Sequence, residues 1–227
     1  MSQPGVGTHR RGFLGSIAAG AGTLLVARWS NANAEVAALT SLTSLTEPPV
    51  SDEWIGKIKG KYRQVFDNTS PNEGFGGAFP LNFIASTKEA LKVTDKDITP
   101  VAVFRHFAMP LMVNDAVWAK YKIGELLNVK DPKTNAPATR NIFRDNIPLY
   151  PGVTYEKLAT DHGVVLVACN LALTVVSGMT APKAGVTPEQ AKKEWTAGLL
   201  PGVSLAASGV YAVHRAQGAG CTYCYGG

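Results

Sequence analysis

Three cysteines and one histidine are the side chains of this sequence best placed to do chemistry. Cys169-Asn170 follows an unbroken apolar run, 164–168, and precedes a stretch of small residues with helical character. A thiol where a strand hands over to a helix meets free N–H groups and the positive end of the helix dipole. Both favour the thiolate, which is the nucleophilic form. The opposite reading, a thiol packed away as a small hydrophobe, stands beside it, because cysteine is among the most buried residue types. His106 closes a second β-rich run, 98–104, where it serves as base or partner for such a thiol, or is simply satisfied by local hydrogen bonds.

Cys221-Thr222-Tyr223-Cys224 is the third feature. A C-x-x-C pair can be a disulfide, a redox or resolving pair, or half of a metal site. Zinc needs four ligands, so a metal at Cys221 and Cys224 requires Cys169, a histidine or a second subunit as well. No other cofactor is expected. Local geometry separates the alternatives. As a strand, the segment places the two Cα atoms about 10 Å apart on opposite faces. That is beyond the roughly 7 Å a disulfide spans. As a turn, it closes the bridge easily.

The elements that position these residues follow from periodicity. Residues 61–67 alternate as a short strand ending in Asn68-Thr69-Ser70-Pro71, and 74–91 carry apolar residues at helical spacing. Residues 109–121 predict a helix. The polar, proline-containing stretch 128–152 is too long for a simple connection and reads as a flap or an oligomer contact. Residues 155–162 predict a short helix before the 164–168 strand, and the helix after Cys169 is expected to run through Val176. Thr187-Pro188-Glu189-Gln190 has the form of a capping box. Residues 203–207 form a further strand, Ser208-Gly209 a turn and 210–217 a helix.

Strand alternating with helix predicts an α/β fold, an open parallel sheet with helices on both faces. Ligands bind such sheets at the carboxyl ends of the strands. Those ends are Asn68, His106, Cys169-Asn170 and Ser208, so Asn68, Asn170 and Ser208 join Cys169 and His106 as supporting candidates. Residue 221 should begin near the edge opposite Cys169, because the 210–217 helix runs back across the sheet for about 12 Å.

The first 34 residues resemble a twin-arginine (Tat) export signal: Arg10-Arg11-Gly12-Phe13-Leu14, a mild apolar run and Ala32-Asn33-Ala34 as a cleavage pattern. The run holds about 13 residues, too few for a stable membrane span after cleavage. The resemblance implies engagement with the Tat translocase and a periplasmic or extracellular destination. Residues 35–51 read as a linker and 52–227 as one α/β domain. Removing the leader takes Lys plus Arg from 22 to 19 against 17 acids, a net charge of +2 instead of +5. That balance gives no electrostatic case for nucleic acid.

Val167-Ala168-Cys169-Asn170, Leu200-Pro201-Gly202-Val203, Ala207-Ser208-Gly209-Val210 and Gly220-Cys221-Thr222-Tyr223 together resemble the DsrE/DsrF-like family of sulfur-relay proteins. The resemblance implies a three-layer α/β/α sandwich around a mostly parallel sheet of about five strands, assembled as a homo-oligomer. It also implies a persulfide-carrying cysteine at position 169. The export signal, the 128–152 insertion, the C-x-x-C and Phe107 after His106 depart from the family pattern. The sequence therefore carries two main expectations: an exported sulfur or thiol carrier, with sulfurtransferase-like or thiol redox chemistry, or a non-catalytic binding or scaffold protein. In the second case Cys221/Cys224 form a disulfide or metal clip. A third reading is a metal or small-ligand binder carried out folded.

Overall fold

The computed structural model describes residues 51–227; the expected export signal and nearly all of the expected linker lie outside the described residues. Five strands form one all-parallel sheet: β1 (Tyr62–Asn68), β2 (Ile98–Phe104), β3 (Val165–Cys169), β4 (Ser204–Ala206) and β5 (Thr222–Tyr225). Their spatial order is β4-β3-β2-β1-β5. The sheet grows in one direction for four strands, then the chain crosses back to add β5 beside β1. Asn68 stands level with Phe104 and Phe104 with Ala168, so the carboxyl ends of the central strands share one edge.

Strand interiors explain this stacking. β2 and β3 are buried at every position, as continuous apolar runs between two helical layers should be. Pro100 in β2 is tolerated because β3 pairs only from Val101 onward, leaving β2 a local edge at that rung. Alternate residues divide the core. Val65, Val101, Val103, Val165 and Val167 pack with Trp54, Ala212 and Ala216. Ala102, Phe104, Leu166 and Ala168 pack with Leu81, Met109, Trp118, Tyr155, Leu173 and Trp195.

The first face is covered by the turn Glu53–Lys57 and α7 (Gly209–Gly218); Gly209, Ala212 and Ala216 are the residues α7 buries. The second carries α1 (Ala78–Leu91), α2 (Asp115–Lys120), α4 (Tyr155–Thr160), α5 (Asn170–Ala184) and α6 (Pro188–Ala197), with the single turn α3 (Ile123–Leu126) following α2. This is a three-layer α/β/α sandwich. Among the described residues, no helix is long and apolar enough to cross a membrane.

Several elements differ from the sequence reading. The expected 109–121 helix is broken: His106–Met112 is a 3-10 turn containing Pro110, and α2 starts only after the Asn114 cap. The break lets Val113 bridge to Leu199. Carbonyls left open by it are met by Asn141, whose Nδ2 donates to Leu111 O at 2.9 Å and Val113 O at 2.8 Å. Asn141 belongs to the 128–152 segment, which buries Ala138, Phe143 and Ile147 against its own chain. That segment is part of the core wall rather than a flap. The helix after Cys169 runs past Val176 to Ala184, where Gly185 at φ +67° ends it. Thr187 caps α6 by accepting the Gln190 N–H, but the Gln190 side chain donates forward to Glu194 instead of closing the box.

Glu194 ties α6 to α2. Its carboxylate accepts Lys120 Nζ at 2.6 Å, Tyr121 OH at 2.8 Å and Gln190 Nε2 at 2.8 Å. These donors, Lys120 first, hold it down at about 2 from an ordinary 4.5. A depressed carboxylate stabilises the fold above its unfolded value, and that gain is lost as pH falls from about 4.5 to about 2. Glu194→Gln is therefore expected to lower Tm at pH 7 and to match the native chain near pH 2. Melting curves across that range check it; a gap independent of pH would rule the account out.

Candidate functional site

The carboxyl edge of the sheet gathers a thiol, a carboxylate and a guanidinium at the ends of β3, β1 and β2. Cys169 is both the last residue of β3 and the N-cap of α5, and its Sγ accepts the Ala172 N–H at 3.2 Å. The N–H groups of Gly209 and Leu171 also favour the charged form of the sulfur. Gly209 is the first residue of α7, so the N-terminal ends of two helices, 15 and 10 residues long, converge on one thiol. Aligned peptide dipoles at both ends favour negative charge there.

Burial decides the resting state. Cys169 is 4% exposed. Desolvation pushes its thiol above the ordinary 9.0; the N–H groups of Ala172, Gly209 and Leu171, with the charge of Arg105, pull down without overcoming it. Of the two expectations for this thiol, activation by the helix and packing as a small hydrophobe, the burial favours the second. The dipoles and donors are present, yet the cost of taking a thiolate out of water exceeds them.

His106 is not the hydrogen-bond partner of that thiol. It turns through φ +52°, is exposed, and sets its ring edge-on against Phe107 at 4.5 Å. The preceding residue faces the site instead. Arg105 donates Nε to Asp67 Oδ1 at 2.7 Å and Nη2 to Asp67 Oδ2 at 3.0 Å, a two-pronged grip. Tyr223 OH donates to the same Asp67 Oδ2 at 3.1 Å. Asp67 is nearly buried, and the Arg105 stem lies on the bare Cα of Gly209, where a Cβ would stand 2.3 Å from the arginine Cβ.

The supporting candidates lie at strand ends and helix starts along the same edge. Asn68 is 1% exposed and donates Nδ2 to Val103 O at 3.1 Å, fastening β1 to β2, while its Oδ1 faces Gly76 and Gly226 without a hydrogen-bond partner among the described residues. Ser208 caps α7 by accepting the Tyr211 N–H at 3.2 Å. Asn170 is buried in the first turn of α5.

Cys221 and Cys224 are both free, and the chain takes the strand branch of the geometric alternative. Cys221 packs with Trp54 and Val65 on the α7 side, where burial pushes its thiol up to about 11 although Arg63 lies near. Cys224 stands level with Phe66, which packs on Phe83 of α1 on the other side. Cys221 just before β5 and Cys224 within it thus lie on opposite sides of the sheet, and the two thiols are not bridged. Among the described residues, no group of three or more His, Cys, Asp and Glu side chains could hold a metal. Three strand spacings and three rungs separate Cys224 from Cys169, roughly 17 Å in all, so neither thiol resolves Cys169 within one subunit.

Asp67, Arg105, Gly209 and Tyr223 were missed by sequence reasoning. A signal existed: an acid at the end of an alternating strand and an arginine directly after an apolar one are charges at the functional edge of a parallel sheet. What emerges is a class, an α/β sandwich with a buried thiol between two helix N-termini beside an aspartate-held arginine. No protein-family model, no curated protein and no solved structure matches the chain.

Proposed function

We propose that this chain is an exported carrier of sulfane sulfur or thiols that loads at Cys169. The resemblances to Tat signals and to DsrE/DsrF-like proteins support export and relay chemistry, with a homo-oligomer as the working assembly. One observation carries the reading: Cys169 Sγ accepts the Ala172 N–H at 3.2 Å at a double helix N-terminus, a place that suits a sulfur anion. In the loading step the Cys169 thiolate attacks the outer sulfur of a donor such as thiosulfate. A new S–S bond forms, the donor's own S–S bond breaks, and sulfite leaves with the electron pair. The product is a persulfide anion facing the same N–H donors.

Mass spectrometry after thiosulfate treatment tests this. The expected adduct is about 32 Da, one sulfur atom, on the peptide holding Cys169. It should be absent from Cys169→Ala and retained in the Cys221→Ala/Cys224→Ala chain. Because the thiol is pushed up by burial, initial loading should rise about tenfold per pH unit from 7 towards 9. No adduct at Cys169 would end the carrier reading. The burial of Cys169, 4% exposed, favours a second reading, a non-catalytic binding protein in which the thiol is core. It predicts equal ligand capacity in native and Cys169→Ala chains.

A further inference from the structure

The geometry points to Arg105, held in place by Asp67 and Tyr223, as the charge partner of the Cys169 anion, the part that sequence spacing assigns to His106. This rests on reading Cys169 as the working thiol. Three observations converge on it.

First, the guanidinium cannot wander. Both prongs are fixed on Asp67 at 2.7 and 3.0 Å, and the Tyr223 hydroxyl, donating at 3.1 Å, fixes the outer carboxylate oxygen in turn. The Arg105 N–H is also tied to Asn68 O at 3.0 Å, anchoring its backbone to the end of β1. Second, Gly209 joins the two groups. It closely follows Ala206 of β4, which pairs with Cys169, while its Cα is covered by Cβ, Cγ and Cδ of Arg105, all within 3.0 Å of where a side chain would begin. Any other residue at 209 would push the arginine stem off the start of α7. Third, the competition is thin. Arg105 directly follows Phe104, which is level with Ala168, so it stands beside Cys169 across the β2–β3 pairing. The first turns of α5 and α7 hold no charged side chain, and Tyr211 is engaged elsewhere, donating to Asp52 at 2.6 Å. On the His106–Met112 turn, the His106 ring lies against Phe107.

Arg105 is about 30% exposed, so it meets solvent while its stem lies on the N-terminus of α7. It thus supplies positive charge where an anionic sulfur donor arrives and where a persulfide anion is left. Asp67 and Tyr223 are positioning residues: they fix the arginine without meeting the sulfur. Tyr223 also gives the C-x-x-C segment a part in the site through its third residue rather than its thiols.

The test is an NMR titration of protein carrying 13C at the cysteine β-carbons, with signals assigned by single Cys→Ala variants. The midpoint belonging to Cys169 should rise by at least about one pH unit in Arg105→Gln, a tenfold loss of thiolate at fixed pH. Loss of the cation and exposure of the unpaired Asp67 act in the same direction. Arg105→Lys should stay nearer the native value, and Tyr223→Phe should rise by a smaller amount. His106→Gln should leave the midpoint in place. A second readout is the ratio of Cys169 labelling by iodoacetate to labelling by neutral iodoacetamide, which should fall several-fold in Arg105→Gln. A midpoint unchanged in Arg105→Gln, or moved as far by His106→Gln, overturns the assignment. Should Arg105→Gln not fold, Tyr223→Phe decides alone: a rise supports the role and an unchanged midpoint removes it. The titration follows a proton, not sulfur transfer, so it stands or falls separately from the thiosulfate experiment.

Discussion

Replacing Gly124 with alanine should cost the domain about 3 kcal/mol or more, out of proportion to one added methyl group. The reason is backbone against backbone. A Cβ at Gly124 would lie 2.2 Å from the Ala138 carbonyl oxygen and 2.5 Å from its nitrogen. No rotamer change relieves such contacts, so the strand-like stretch around Ala138 must move. That stretch is not free to do so: Val129 N–H donates to Gly124 O at 2.8 Å and Ala138 N–H to Val129 O at 2.9 Å. Displacement breaks one or both bonds, each worth about 1 kcal/mol, on top of the overpacking. Denaturant titration is the measurement. Gly56→Ala is the control, since nothing lies within 4 Å of its added methyl, and it should change stability by less than about 0.5 kcal/mol. Equal midpoints for the two variants would disprove the close approach.

Trp118→Ala should be at least as damaging, about 3–5 kcal/mol. Trp118 is fully buried, donates Nε1 to Pro110 O at 2.8 Å and meets the Phe143 ring edge-on at 6.0 Å. Truncation opens a cavity, leaves the Pro110 carbonyl without its donor and removes the surface on which the 128–152 segment rests. Trp118→Phe separates these effects. It refills much of the volume but not the hydrogen bond, and should cost about 1–3 kcal/mol. Limited proteolysis of Trp118→Ala should cut first between residues 128 and 152. A cost below about 1 kcal/mol, with that segment still protected, would show that Trp118 does not anchor it.

What the sequence makes legible follows how local the cause is. β2 and β3 declare themselves, because an unbroken apolar run has few other uses. Thr187 and Pro188 mark the start of α6 through contacts within one turn. The fork posed for Cys221 and Cys224 is also local, a matter of strand or turn, and β5 answers it. The break before α2 is not local, since the carbonyls it opens are satisfied by Asn141 about 30 positions away. The exchange of His106 for Arg105 has the same origin. Which of two adjacent side chains faces the edge depends on the φ of +52° at His106 and on a carboxylate from the neighbouring strand. Burial of Cys169 likewise comes from two helices meeting, which spacing along one of them does not reveal.

The placement of β5 has a consequence for how the molecule is made. Thr222 meets the Arg63 carbonyl across 159 positions of sequence, so β1 gains its second neighbour from the far end of the chain. During synthesis β1 can pair early with β2 but waits with its other margin bare. Such long-range closure is slow. Until it happens, the open margin is a template for any extended segment nearby, including one from another nascent copy. A chain clipped before residue 222 would keep that hazard for life, and aggregation rather than simple loss of activity should be its signature.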